Sequence, residues 1–499
     1  WSDLSFCPNT PPRFFPSPVT EHIFSALRIL PYTVIQTWIT SICARERIDM
    51  RHSSQKYLAR SSPRFLLINR NYTFLWIGSA ISYTGDVLFL ISLTLWIGTL
   101  LQNQSYAPLA ISGIGLSAAL PTLLISPFAG VFVDRWQKQK TMRFMDVIRA
   151  ILVLSLLLVS GPGPLPFFSA STSVLPIPMK LGIIYLVVGA QSSLSQFFNP
   201  STKALLREIV PEERFTQASA LTTGTAFAVW PVGSALAGIC YANLGVNLAI
   251  LLNAASFICS WVLIRSMHVS EPAPSLVIEK QGLHHVFKEL WEGFQCIEGN
   301  LLLRTLLCAE SLLAFGFGIY NTMGFFFITQ NLHVPVSLYG LFNGVQSLGG
   351  ILGTWLISRS ATTRGHPRVY YTARVLAGIA MMVTALQSQP LIALVGMVII
   401  SIAHSCTEAL VGPLILGATP EKMEGRVFST FGTATTISSL LATFLSGYLS
   451  STLLHPVAFH SSFITLNATS ILTSCAGIAL VGGGLYASKH FRKMKSAEM

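Results

Sequence analysis

Seven ionisable residues lie within, or at the edge of, long apolar stretches of this 499-residue chain: Asp86, Asp134, Asp146, Arg149, Glu310, His404 and Glu408. Burying a charge is costly unless the group is paired or changes its protonation state. Carboxylates and histidine can bind and release protons, and an arginine can hold a carboxylate in its ionised form. The chemistry that these residues support is therefore proton exchange, ion pairing and binding of a polar group on a ligand.

Asp86 is the foremost of these residues because it lies near the middle of its apolar stretch. Ser79, Ser82 and Tyr83 precede it at helical spacing, so one face of the predicted helix is polar. We expect Asp86 to bind a substrate or to carry a proton. The alternative is a structural carboxylate that is hydrogen-bonded to a neighbouring helix.

Two further pairs have helical spacing. His404 and Glu408 are four residues apart on one predicted helix, where they could share a proton or simply tether that helix. Asp146 and Arg149 are three residues apart, and this spacing predicts a structural ion pair.

The composition indicates what kind of protein must position these groups. Apolar residues make up 52% of the chain and charged residues only 10%, against about 25% in soluble domains. Windows of about 20 apolar residues are long enough to cross a bilayer. Twelve such windows are predicted, at 73–101, 109–133, 142–161, 181–201, 216–243, 245–266, 301–328, 337–358, 371–388, 390–416, 427–451 and 463–486.

The basic residues fix an orientation for these spans. Thirty of the 32 Lys and Arg residues fall in the terminal segments or in alternate connections, and therefore on one side. Basic residues mark the cytoplasmic side of a membrane protein. We therefore predict that both termini are cytoplasmic, and that the net charge of +12 reflects topology rather than nucleic-acid binding.

The chain divides into five predicted regions. They are a cytoplasmic N-terminal segment (1–72), a six-helix region (73–266), a cytoplasmic linker with an amphipathic helix (267–300), a second six-helix region (301–486) and a basic cytoplasmic tail (487–499). The eight cysteines form no metal-binding pattern, and the motifs of nucleotide-binding loops, zinc proteases and serine hydrolases are missing from the sequence. We expect neither an enzyme nor a cofactor or metal.

One connection carries a recognisable motif. After the second span come Gly130, Asp134, Arg135, Lys138 and Lys140. This pattern resembles the loop signature of the major facilitator superfamily. The resemblance implies that the motif, together with Asp146 and Arg149, forms a gate on the cytoplasmic side.

Several other segments resemble the macrolide-efflux and enterobactin-exporter branch of drug:proton antiporters. They are Asn71–Asp86, Phe198–Pro200, Val210–Glu213, Asn253–Phe257 and Pro420–Val427. Pro231 and Gly233 resemble the antiporter signature of the fifth span, although Trp230 stands where that pattern has Gly.

The resemblance implies an all-α membrane protein of the major facilitator fold, with twelve transmembrane helices in two six-helix pseudo-symmetric halves. It implies a secondary transporter in a bacterial cell membrane that exports a hydrophobic drug-like compound or a siderophore by alternating access, coupled to protons. Besides Asp86, Ser82, Glu310, His404 and Glu408, we expect Gln191, Asn253 and Asn321 near the substrate.

The expected partners are the lipid bilayer, protons and a small amphiphilic or hydrophobic substrate, with the chain acting as a monomer. Two other functions remain open. One is an importer or facilitator of a small nutrient on the same fold. The other is a membrane sensor or assembly partner that transports nothing.

Overall fold

Residues 68–102, 104–160, 175–269, 283–359, 367–454, 458–460 and 465–497 are described by a computed structural model, and nearly all of them are helical. The predicted N-terminal segment 1–72 lies outside these ranges except for residues 68–72.

The first group of helices precedes the linker. Its members are α1 (Arg70–Leu100), α2 (Ala107–Arg135), α3 (Lys138–Ser155), α4 (Leu157–Ser160), α5 (Ile177–Ile209) and α6 (Glu212–Arg265). Within the 54-residue α6 the backbone breaks at Gly245, where φ is 67° and ψ is −165°. Glycine adopts positive φ readily, which allows the break at this residue. The break divides α6 into two arms, which match the predicted fifth and sixth spans.

The linker contains α7 (Leu283–Glu298), which lies in the stretch where an amphipathic helix is predicted. The second group follows. It comprises α8 (Leu301–Phe326, continued by a π turn over Phe327–Asn331), α9 (Tyr339–Arg359), α10 (Pro367–Ala385), α11 (Pro390–Ala418), α12 (Glu424–Thr452) and α13 (Ala468–Ala497).

The last predicted span and the tail differ from the structure. A short antiparallel hairpin, β1 (Ala458–His460) and β2 (Thr465–Asn467), pairs Phe459 with Leu466 and delays the start of α13 to Ala468 rather than 463. The helix then continues to Ala497, so most of the predicted tail 487–499 is part of α13. The hydropathy of the tail falls, but its residues remain good helix formers, so the hydropathy boundary is not a helix boundary.

Eight helical segments among the described residues are long and apolar enough to cross a membrane: Arg70–Leu100, Ala107–Ser126, Ile177–Ile209, Ala228–Arg265, Leu301–Asn331, Pro390–Ala418, Glu424–Thr452 and Ala468–Lys493. Helix α3 falls outside this set because Lys138, Lys140, Arg143, Asp146 and Arg149 lie within its 18 residues.

The two groups begin in the same way. The side chain of Asn69 caps α1 by accepting the backbone N–H of Tyr72 at 2.7 Å, and its amide nitrogen donates to the carbonyl of Ile209, the last residue of α5, at 2.6 Å. Asn300 caps α8 and donates to the carbonyl of Ala418, the last residue of α11, at 3.2 Å. Each asparagine therefore joins the start of one helix to the end of another, where both have unpaired backbone groups.

The helices pack mainly within each group. In the first group α1 packs on α6, α2 on α5, and α3 on both α5 and α6; in the second α8 packs on α12 and α13, α9 on α11, and α10 on α11 and α13. The main contacts between the groups are α2 with α12 and α6 with α9.

Small residues make the contacts between the groups very close at one end of the bundle. Gly238 of α6 faces Gly340 of α9, and a Cβ atom on Gly238 would lie 2.9 Å from the Cα of Gly340. On the other side Gly447 of α12 packs against Ser112 of α2. The two groups are thus closed against each other at the end predicted to be extracellular.

We predict that Gly238→Val destabilises the protein, because the new methyl groups have no room against the Gly340 backbone. Overpacking of this kind costs about 1–3 kcal/mol. The measurement is the thermal unfolding midpoint in detergent. The control is Gly182→Val on α5, where a Cβ atom would meet nothing within 4 Å. Equal midpoints for the two variants would contradict the tight contact.

Candidate functional site

Asp86, in the middle of the 31-residue α1, lies at the centre of a polar cluster. Its Oδ2 accepts a hydrogen bond from the Nη2 of Arg149 at 2.6 Å, and its Oδ1 accepts one from the Nε2 of Gln191 at 2.8 Å. These contacts join α1, α3 and α5. The arginine side chain is 4% exposed and that of Asp86 is 26% exposed, so the aspartate is the more accessible member of the pair.

Two glycines set the position of Asp86 between the arms of α6. Gly85 packs directly against Asn253 and Ser256 of the second arm. On the first arm Gly233 is so close to α1 that a Cβ atom there would lie 2.9 Å from the Cβ of Val87. Both neighbours of Asp86 in the sequence are therefore held by α6, and the Pro231–Gly233 segment serves as a packing surface for α1.

Aromatic rings complete the surroundings of Arg149. Its guanidinium carbon lies 4.1 Å from the ring centroid of Phe257 and 5.7 Å from that of Phe198. A cation over an aromatic face is stabilised where water is excluded. The structure thus holds a charged guanidinium with one carboxylate and two rings.

The predicted ion pair between Asp146 and Arg149 is not formed. The arginine extends across to α1 and bonds Asp86. Asp146 is 0% exposed and faces Ser260 of α6. Within the described ranges neither of its carboxylate oxygens has a hydrogen-bond partner. Helical spacing predicted that the two residues are neighbours, but the long arginine side chain reaches a different helix.

A second cluster of the same kind lies in the second group. The Oε1 of Glu310 on α8 accepts hydrogen bonds from the Nη2 of Arg374 at 2.8 Å and from the hydroxyl of Tyr370 at 2.6 Å, both on α10. The Nη1 of Arg374 also donates to the Tyr370 hydroxyl at 2.6 Å. The side chains of Arg374 and Glu310 are 0% and 8% exposed.

Only Glu310 of this cluster was singled out by the sequence. Arg374 is one of the thirty basic residues that the sequence assigns to the cytoplasmic side, at the start of the predicted window 371–388, whereas the structure buries it inside α10. The missed signal is a repeat: each group has an arginine in its third long helix, Arg149 in α3 and Arg374 in α10.

The predicted pairing of His404 with Glu408 is not seen. The ring of His404 stacks on Phe317 with centroids 4.0 Å apart, and its Nδ1 has no hydrogen-bond partner in the part of the chain that is described. Glu408 is exposed on α11. Asn321 is also exposed, on α8, and no contact joins it to the Asp86 cluster among the described residues.

The structure places the remaining predicted residues as follows. Ser82 is buried on α1, one turn before Asp86. Lys138 forms an ion pair with Glu208 at 3.4 Å, which links the start of α3 to the end of α5, and Lys140 is exposed. Gly130, Asp134 and Arg135 form the end of α2, and their side chains lie outside the described part.

A cavity of about 620 Å³ opens between the two groups, towards the end opposite the glycine contacts. It lies between α2, α7 and the first half of α12. Its lining is rich in hydroxyl groups and also contains charged groups: Thr122, Ser126, Ser429, Thr433, Thr436, Glu289, Lys422 and Arg426. Arg426 forms an ion pair with Glu292 of α7, which attaches the linker helix to α12.

Solved structures share this arrangement of helices. A bacterial homologue of the iron transporter ferroportin, in an inward-facing state, superposes with a TM-score of 0.64 at 16% identity, covering 84% of this chain and 98% of that one. A mutant of the nucleoside transporter NupG superposes with a TM-score of 0.65 at 11% identity, covering 84% and 100%. At these identities the similarity establishes the fold alone.

The sequence establishes the family. Residues 62–498 match the family model described as transmembrane secretion effector, and the chain therefore belongs to this family of major facilitator superfamily transporters. This classification makes it a transporter rather than an enzyme.

Curated relatives are distant but cover much of the chain. The MFS-type transporter YkuC of Bacillus subtilis (strain 168) is 26% identical over 58% of this chain and 65% of its own length, so the match spans just under two thirds of that protein. BacE of the same strain, whose name as a bacilysin exporter is provisional, is 22% identical over 75% and 89%. Macrolide efflux protein A of Streptococcus pyogenes is 22% identical over 56% and 64%.

We predict that Arg374→Gln lowers the free energy of unfolding by about 3–5 kcal/mol, because it leaves the buried carboxylate of Glu310 without a cation. The double variant Arg374→Gln/Glu310→Gln should recover part of this loss. The measurement is thermal unfolding in detergent, analysed as a double-mutant cycle. Arg368→Gln, at an exposed position of the same helix, is the control. Strictly additive effects of the two substitutions would contradict the pairing.

Proposed function

We propose that this chain is a proton-coupled exporter of a small amphiphilic or hydrophobic compound that works by alternating access. The observation that carries the proposal is a partly exposed, ion-paired carboxylate, Asp86, inside a bundle whose helix groups meet at one end and separate at the other. A transporter needs a central site that can be exposed to one side at a time.

We propose twelve membrane crossings in two six-helix halves. Several observations support this arrangement. The arms of α6 are separated at Gly245 and supply two crossings. The asparagine caps at Asn69 and Asn300 recur at the first helix of each group. The contacts α2–α12 and α6–α9 are interchanged when the helices of one group are exchanged with their counterparts in the other, as a two-fold pseudo-symmetric pair of halves requires.

The proposed transport cycle begins from a conformation that is open to the cytoplasm. The excess of basic residues on one side supports the assignment of the cavity end as cytoplasmic. The segment from Gly130 to Lys140, together with the Lys138–Glu208 ion pair, lies at this end and is proposed as the cytoplasmic gate. Closing it while the glycine contacts part would expose the central site to the other side.

The proposed export direction rests on the relatives. Macrolide efflux protein A and the bacilysin exporter BacE are both named for moving compounds out of the cell. The cavity is lined by apolar and hydroxyl-bearing side chains together, which fits a substrate with both kinds of surface.

We predict that Asp86→Asn abolishes transport driven by a pH gradient in proteoliposomes, with the initial rate falling to that of protein-free vesicles, because an amide cannot bind and release the coupling proton. The assay uses a panel of labelled macrolides and siderophores. The control is Glu298→Gln, which also replaces a carboxylate by an amide but at an exposed position of the linker helix. Unchanged rates in Asp86→Asn would refute the role of Asp86, and accumulation along the proton gradient would indicate an importer.

A further inference from the structure

The buried side chains around Arg149 contain more negative groups than the arginine can neutralise. Asp86 accepts one hydrogen bond from Arg149 and one from Gln191, so its charge is balanced. Asp146 lies one helical turn before the arginine on α3, is 0% exposed and has no hydrogen-bond partner among the described residues. A bare carboxylate in that position would be a buried, unpaired charge, which proteins avoid by protonation.

The arginine also has an unused donor. Its Nε is buried and lacks a hydrogen-bond partner in the described structure, just as both oxygens of Asp146 lack a donor. Residues at i and i+3 of a helix are surface neighbours, about 5–6 Å apart at Cβ. An unpaired donor and two unpaired acceptors thus lie within one turn of each other.

The helices packed against α3 supply no other charged group to Asp146 among the described residues. From α6 come Ser260 and Phe257, and from α5 comes Gln191. From α1 come Asp86 and, on its far side, the phenol of Tyr83, whose hydroxyl donates to Asn199 of α5. The charge state of Asp146 is therefore controlled by Arg149 and Asp86.

We propose that Asp146 stores the coupling proton in the state seen here and that Arg149 is a switch between the two aspartates. When Arg149 turns from Asp86 to Asp146, the O–H bond on Asp146 breaks and an O–H bond forms on Asp86. One carboxylate, one carboxylic acid and one guanidinium are present before and after, so the buried charge does not change. The proton then leaves from Asp86, the member of the pair that is 26% exposed.

This inference deepens the proposed function, on which it rests, by naming the residue that holds the proton and the one that moves it. It also changes the role of Asp146 from the predicted partner in a static ion pair to a proton store. Arg149 acts as a positioning residue, since it determines which aspartate is ionised without itself gaining or losing a proton.

The test is infrared spectroscopy of the full-length protein in lipid at neutral pH, which detects the C=O stretch of a protonated carboxylic acid. We expect this band in the wild type and its loss in Asp146→Asn. We also expect its loss in Asp86→Asn, because Arg149 is then free to pair with Asp146 and ionise it. Glu298→Gln should leave the band unchanged.

A band that is absent from the wild type, or that persists in Asp146→Asn, would overturn the assignment of the proton. A band that persists in Asp86→Asn would overturn the switch, because Arg149 would then have lost its bond to Asp86 without ionising Asp146. If Asp146→Asn is not recovered folded, the conservative variant Asp146→Glu in protein containing isotope-labelled aspartate is used instead: the isotope shift seen in the labelled wild type should be lost, because the acid at position 146 is then an unlabelled glutamate.

These outcomes are separate from those of the transport assay, because no substrate is present. If the bands behave as expected but no transport is found, the assignment of the proton to Asp146 stands and the proposed exporter is refuted. If transport depends on Asp86 but the bands are missing, the proposed exporter stands and the assignment of the proton is refuted.

Discussion

An arginine keeps its charge even inside an apolar bundle, so other groups must compensate that charge. In both groups of helices of this protein the compensating group is a carboxylate on another helix. Arg149 reaches from α3 to Asp86 of α1, and Arg374 from α10 to Glu310 of α8. Breaking a buried pair on one side costs several kcal/mol, so the pairs fix which helix faces lie together. The first and third helices of each group are in this way held in one relative orientation.

The packing around the pair of Arg149 and Asp86 is tight, but it leaves the carboxylate partly exposed. Gly85 and Gly233 allow α6 to lie against α1 on both sides of Asp86, and the rings of Phe257 and Phe198 cover the guanidinium. Asp86 itself stays partly exposed. The second pair has no such opening, since Arg374 is fully buried and is further tied by Tyr370. The two ion pairs therefore have the same chemistry, but the carboxylate is partly exposed in the first group and buried in the second.

The positions of most helices follow from the sequence, which also singles out Asp86, the residue that the structure places at the centre of a polar cluster. Apolar windows located the helices, and the boundary near residue 244 separated the two arms of α6. What periodicity could not supply is the partner of each charged group. Periodicity relates residues on one helix, such as Asp146 and Arg149. The partner of Arg149 is Asp86, which lies 63 residues away in the sequence on another helix. Arg374 was missed because it was counted with the basic residues of the connection at the start of the ninth predicted span, although a carboxylate on a neighbouring helix can compensate an arginine inside the membrane. The hairpin of β1 and β2 was missed because its strands are only three residues long.

The closure made by Gly238, Gly340, Gly447 and Ser112 has a consequence for energetics. Among the described residues it contains no ion pair: backbone lies directly on backbone, and the attraction between the groups there is dispersion, with one hydrogen bond from the N–H of Leu109 to Ser451 at 3.2 Å. Contacts of this kind can separate without leaving a charged group unpaired, and ions in solution do not screen them. At the opposite end ion pairs are present, with Lys138 bonded to Glu208 within the first group and Arg426 bonded to Glu292 of the linker helix. Ionic strength therefore acts on the ion pairs at that end and leaves the glycine contacts between the two groups unchanged.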